Sequence, residues 1–351
     1  MSEASFPLEG RRIALIGGAG FIGHNLALAL KAAGAEVSVI DSLQVNNLLQ
    51  FTAASNDLPN RDLYLQIINQ RLQMMNDARI PLIVQDARDY HALSRILEKL
   101  NPQVILHLAA VSHAGRSNKD PYSTFDHSLR TLENALDNAR NRIEHFIYFS
   151  SSMVYGNFLK EEVDEDHPLN PIGIYGALKV SGEKMVIAYN QVFDLPYTII
   201  RPSALYGPRC VSRRVGQIFI ESAMKGEPLR VDGDGNERLD FTFIDDLVEG
   251  IKQVIENPRS RNQTFNMTYG RSRSVMDLVR IMEKYFPGVP VQYVERDKLM
   301  PLRGTLSVKR ARDLLGYHPT NPIETGFPKY ISWYRELDPT GRFWMDIKVT
   351  G

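Results

Sequence analysis

Ile13-Ala-Leu-Ile-Gly-Gly-Ala-Gly-Phe-Ile-Gly-His24 decides the fold. An apolar run, Ile13 to Ile16, meets glycines at Gly17, Gly20 and Gly23, and a helix-favouring segment, Asn25 to Ala33, follows. The order reads as strand, tight turn and helix N-terminus. Glycines in such a turn let the backbone approach a pyrophosphate, whose charge the free amides and helix dipole favour. The next apolar strand, Val37-Ser-Val-Ile40, ends at Asp41. A carboxylate there suits the ribose diol of NAD and repels the extra phosphate of NADP. Strand, helix and acid together predict a dinucleotide site.

Working outward, apolar runs recur between helical patterns at Leu82–Val84, Val104–Leu108, His145–Phe149 and Tyr197–Ile200. Runs apolar on both faces and separated by helices predict a parallel sheet covered on both sides. Helices are expected at His91–Leu100, about Tyr122–Arg140 and about Tyr175–Phe193. The expected class is α/β, a Rossmann-type doubly wound parallel sheet with a smaller C-terminal α/β substrate lobe. The NAD-binding domain should span 1–201 and the substrate lobe mainly 202–351, where glycine and proline become frequent. The chain should cross between the two. An insertion at about 45–80 separates the second and third strands. Within it Arg61–Met75 has helical spacing (Leu65, Ile68, Leu72, Met75), which suits either an extra surface helix or a subunit contact.

The 41 basic and 41 acidic residues cancel, so no overall field favours nucleic acid or an anionic membrane. Cys210 is the only cysteine, which excludes an internal disulfide and suits a reducing compartment. No apolar run approaches the roughly 20 residues of a membrane span. Met1 to Gly10 lacks the basic start and apolar core of a signal peptide. The expectation is a cytoplasmic protein with no metal site.

Tyr175 and Lys179 stand at i and i+4, on one face of a helix. A nearby ammonium stabilises a phenolate and lowers a pKa that is about 10 when unperturbed, so the tyrosine becomes an acid/base near neutral pH. Among 15 tyrosines this is the only such pair. Phe149-Ser-Ser-Ser-Met-Val-Tyr-Gly156 directly follows an apolar strand, placing hydroxyls at the edge where open α/β sheets bind ligands.

From these motifs the chain resembles the extended short-chain dehydrogenase/reductase family, within it the NAD-dependent nucleotide-sugar epimerases and dehydratases. The marks run in the family's order: the three glycines, Asp41, Asp86, His107-Leu-Ala-Ala110, Ser150 to Gly156, Tyr175-x-x-x-Lys179 and Arg201-Pro-Ser-Ala-Leu-Tyr-Gly-Pro208. The resemblance implies Ser151, Tyr175 and Lys179 as catalytic residues. It implies NAD contacts at Gly17, Gly20, Phe21, Ile22, Gly23, Asp41, Asp86, Ala87, Leu108, Ala109 and Ala110, with Tyr175 and Lys179 also touching the cofactor. Ser151, Ser152, Tyr175 and the arginines Arg238 and Arg303 would bind a nucleotide-diphosphate sugar. His113 is a further candidate for touching the sugar. A homodimer pairing the helices at about Tyr122–Arg140 and Tyr175–Phe193 is also implied, on apolar positions such as Val180, Met185, Val186 and Ala188.

Three departures sharpen the reading. Ser128 stands where the family often has asparagine. The family's Arg-Asp-Phe reads Leu239-Asp-Phe241, with the arginine one position earlier at Arg238. Ser151-Ser152-Met153 stands where sugar dehydratases carry Thr-Asp-Glu and decarboxylases a glutamate. Methionine cannot move a proton, which argues against loss of water. The expected function is epimerisation at C4 through a transient keto-sugar and hydride return. The alternatives are a nucleotide-sugar reductase or dehydrogenase, a dehydratase or decarboxylase, and a non-catalytic NAD-binding protein.

Overall fold

The computed structural model describes residues 6–53, 60–111 and 114–344. Seven strands form one parallel sheet: β1 (Arg12–Ile16), β2 (Glu36–Asp41), β3 (Leu82–Val84), β4 (Val104–His107), β5 (His145–Phe149), β6 (Tyr197–Arg201) and β7 (Gln263–Asn266). Their order is β7-β6-β5-β4-β1-β2-β3. The expected α/β class is thus the observed one. Alternate residues of β1 explain the doubly apolar runs: Ile13 and Leu15 join the core on one face, while Ala14 and Ile16 join the core on the other. The first core takes Leu26 and Leu30 of α1 (Phe21–Ala32) and Leu247, Ile251 and Ile255 of the helix Ile244–Glu256. The second takes Leu93 and Leu97, Leu132 and Leu136, and Val186 from three helices on the far side.

The seventh strand escaped the sequence reading. Gln263–Asn266 lies in the stretch where glycine and proline loosen the pattern, yet pairs parallel with β6 from Gln263↔Thr198 to Asn266↔Arg201. The chain therefore returns to the sheet after residue 202. A separate aromatic-rich core holds the later helices together, with Phe219, Leu278, Phe327, Tyr330 and Tyr334 all within 1 % of full burial.

The insertion contributes to that same core. Its helix α2 (Arg61–Asp77) buries Leu63, Tyr64, Ile67 and Ile68 there, and Tyr64 donates its hydroxyl to Glu221 at 2.7 Å. The open choice between surface helix and subunit contact closes on neither, because this apolar face is covered by the chain's own later segments. Among the described residues no helix is long and apolar enough to cross a membrane.

Sheet order positions the site. After β3 the chain crosses back to β4, so β1 and β4 diverge in connection, and a crevice opens beyond their carboxyl ends. The pairs Ile16↔Ile40, Ile16↔His107 and Phe149↔Ile200 bring those ends level.

Candidate active site

A cavity of about 820 Å³ occupies this crevice. Its floor is the glycine turn. Gly17 has φ +80°, and a Cβ there would stand 2.5 Å from the Ala109 nitrogen, so only glycine lets β1 and the β4 loop approach. A Cβ on Gly23 would strike the Gly18 oxygen at 2.4 Å, which ties helix to turn. Gly20 differs: within 4 Å its Cβ would meet only the Gly17 oxygen, at 3.5 Å. Internal packing does not require a glycine there, and the approach to the helix end stays open. Among the described residues no side chain caps α1, whose first residues Phe21 and Ile22 line the cavity with Gly17, Gly20 and Gly23. This is an anion cradle of the kind a pyrophosphate fits.

Asp41, at the end of β2, accepts the amides of Ala19 at 2.9 Å and Leu43 at 2.7 Å. Burial pushes its carboxyl up, and these amides oppose the rise. Asp86, Ala87, Leu108, Ala109 and Ala110 border the same cavity. Asp86 is clasped by Arg88, with Nη2 at 2.6 Å, and Arg88 also reaches Asp126 at 2.6 Å. Ser128 is buried in a π-helical turn, Asp126–Arg130, within the helical run that the pattern predicted as one helix. His113 lies outside the described residues.

The reacting end is built from two elements. Ser151 follows β5 and starts a 3-10 turn, its hydroxyl accepting the Met153 amide at 3.2 Å. Tyr175 and Lys179 lie in the first turns of the helix Gly173–Phe193. Ser151, Ser152, Met153, Tyr175 and Lys179 all line the cavity. Lys179 Nζ donates to the Phe149 carbonyl at 2.6 Å and stands 6.0 Å from the Tyr175 ring centre. Burial pushes its ammonium down to about 8, opposed by Glu183.

Here one expectation needs correction. The Tyr175 phenol is raised rather than lowered: burial pushes it up, while the Arg214 charge and the Ser151 hydroxyl pull it down. Spacing along a helix shows which side chains share a face, but not how deeply the phenol is buried.

A buried ion pair fixes this arrangement. Arg201, from the end of β6, donates Nη2 to Glu183 at 2.7 Å and Nε to its other oxygen at 2.9 Å. Ser150 donates to the same Glu183 at 2.5 Å, and Arg201 Nη1 reaches the Tyr155 hydroxyl at 2.8 Å. Glu183 sits one turn beyond Lys179, so the pair locks the tyrosine-bearing helix to both strands around Ser151.

The two arginines singled out from sequence part company. Arg303 borders the cavity, held by Glu237 at 3.2 Å and 3.9 Å from the Met153 sulfur. Arg238 does not border it; its guanidinium donates to Ser272, at 3.0 Å to the hydroxyl and 2.8 Å to the carbonyl. The reason is the shifted motif. Along a strand, one residue of slip reverses the face, so Leu239 lines the cavity and Arg238 points away.

Arg213, Arg214 and Arg230 also border the cavity, and the sequence reading missed them. The run Arg209-Cys-Val-Ser-Arg-Arg214, without an acid, was the available signal. Arg209 and Arg213 adopt φ +66° and +52°, a costly conformation for side chains of this size.

A family model described as the NAD dependent epimerase/dehydratase family matches residues 13–268, and the chain belongs to that family. It is 31 % identical over 251 residues to an uncharacterized UDP-glucose epimerase of Bacillus subtilis, covering 70 % of this chain and 78 % of that one. A dTDP-glucose 4,6-dehydratase of Xanthomonas campestris is 26 % identical, with 91 % of each chain covered. Among solved structures, the UDP-glucuronic acid 4-epimerase of Bacillus cereus, in complex with UDP-glucuronic acid and NAD, superposes with a TM-score of 0.83 at 25 % identity. That match covers 93 % of this chain and 99 % of the other. The protein is an NAD-dependent enzyme of the nucleotide-sugar epimerase group.

Proposed function

We propose that the chain interconverts nucleotide-diphosphate sugars by epimerisation, with inversion at C4. The observation that carries this is the joining of Ser151, Tyr175 and Lys179 with the glycine turn and Asp41 in one cavity, where Met153 replaces an acid. When bound, NAD supplies the hydride acceptor and, in its reduced form, the donor. The glycine turn and the α1 end would hold its pyrophosphate, Asp41 its ribose hydroxyls and Lys179 a second ribose. Tyr175 removes the proton of the reacting hydroxyl, helped by the Arg214 charge, and returns it at the end of the cycle. Ser151 hydrogen-bonds the same oxygen and aligns it. Arg303, Arg213, Arg214 and Arg230 would balance the substrate diphosphate, since a guanidinium stays charged and binds oxyanions at two points.

The dehydratase reading has a relative in its favour but lacks a carboxyl group directly after Ser151 in the chain. Ser152 and Met153 carry no carboxyl group, and the acids of the polar loop before Pro168 are elsewhere. Asp164 and Glu165 do not border the cavity, and Glu165 accepts the Asn266 amide at 2.8 Å. Glu237 does border it but is paired with Arg303.

Binding of the two dinucleotides to protein stripped of nucleotide checks the role of Asp41. NAD should bind more tightly than NADP, and Asp41→Ala should narrow the difference. Tighter NADP binding by the parent protein would mean that the carboxylate does not face the ribose.

We also propose a homodimer and a cytoplasmic setting. The helical runs Pro121–Ala139 and Gly173–Phe193 leave Tyr122, Phe125, Ile174 and Val192 exposed. Of the positions named from sequence, Val186 belongs to the core instead. Cys210 is buried and forms no disulfide. Light scattering at micromolar concentration should give twice the chain mass, and a single-chain mass would remove the dimer.

A further inference from the structure

We propose that Arg71, carried by the inserted helix α2, donates to a pyrophosphate oxygen of the bound dinucleotide. This rests on the NAD reading above. Arg71 sits on the apolar stripe of α2 with Tyr64, Ile67, Ile68 and Met75, and its exposure is 0 %. A cation so placed is expensive unless an anion and hydrogen bonds compensate it. Its Nε donates to the Arg209 carbonyl at 2.8 Å, and Nη2 donates to the same oxygen. Nη1 has no partner. Among the described residues, no carboxylate forms an ion pair with Arg71.

The cavity explains where the missing anion belongs. Arg71 borders it together with Gly20, Ile22 and Asp41. A second guanidinium reinforces the positive field. Arg209 donates Nε to His24 Nε2 at 3.1 Å, and His24 Nδ1 meets the Gly20 carbonyl at 2.9 Å. That imidazole, buried between two cations, is held neutral. Two guanidiniums and the amides of α1 thus converge on the glycine turn, with Asp41 as the acid facing them. The pyrophosphate supplies the negative charge this grouping lacks. The insertion therefore serves the cofactor site, besides packing against the later core.

The test compares the full chain with Arg71→Met and Arg71→Lys, each stripped of nucleotide, by calorimetric titration with NAD, NADP and adenosine. Losing a charge-assisted hydrogen bond from a buried site should weaken NAD by about 10–100-fold in Arg71→Met. Adenosine, which has no phosphate, should bind as before, and lysine should restore part of the loss. An NAD affinity within about twofold of the parent in folded Arg71→Met overturns the proposal and leaves Arg71 as a brace for the Arg209 carbonyl. Equal weakening of NAD and adenosine, or weakening of NADP alone, overturns it too. Should the methionine variant not fold, Arg71→Lys decides: it keeps the charge but loses the fork, and unchanged NAD affinity overturns the assignment. If the parent protein does not bind NAD, the underlying reading fails instead.

Discussion

Tyr175→Phe is expected to retain the fold and NAD binding while turnover falls by about 10²–10⁴, the usual worth of a positioned acid/base. The phenol shares the cavity with Ser151, and the ring stays packed in the variant. Removing one oxygen therefore takes away the proton carrier and little else. Burial raises the phenol, so the parent's activity should fall as pH drops, because the base form is lost first. Single-turnover kinetics on the true substrate separate this from altered binding. A variant with near-parent turnover would assign the base elsewhere.

Arg201→Met should produce the largest loss of stability, about 3–5 kcal/mol, because it leaves Glu183 buried without its cation. The side chains of Arg201 and Glu183 are 5 % and 2 % exposed, so solvent cannot compensate. Adding Glu183→Leu should recover much of the loss, since replacing both charges by apolar groups removes the orphan. Urea unfolding of the parent, single and double variants reads this directly. A single variant as stable as the parent would show that the pair does not fasten the helix.

Those two residues also show what sequence could convey. Tyr175 was readable because helix geometry places i and i+4 on one face, and because hydroxyls follow the strand before it. The sheet was readable where both faces of a strand are buried, as in β1, β4 and β5. β7 was not, because its polar Gln263, Thr264 and Asn266 dilute the apolar signal at the sheet edge. Arg201 stood in a quoted motif, but its partner Glu183 is distant in sequence, so the ion pair emerges only from packing. Arg238 failed for a simpler reason: its motif was recognised without the strand that carries it, and the phase of that strand decides which face meets the cavity. Arg71 carried a signal that periodicity alone did not interpret, an arginine on an apolar stripe.

If Ser151, Tyr175 and Lys179 serve an epimerase, the proton and hydride taken from the sugar return to it. Incubation of the pure protein with UDP-, dTDP-, GDP- and CDP-sugars, followed by NMR and mass spectrometry of the products, tests this. The product should have unchanged mass and inverted C4 configuration, and no NADH should accumulate. Loss of water or carbon dioxide, or NADH formed in step with product, would contradict it.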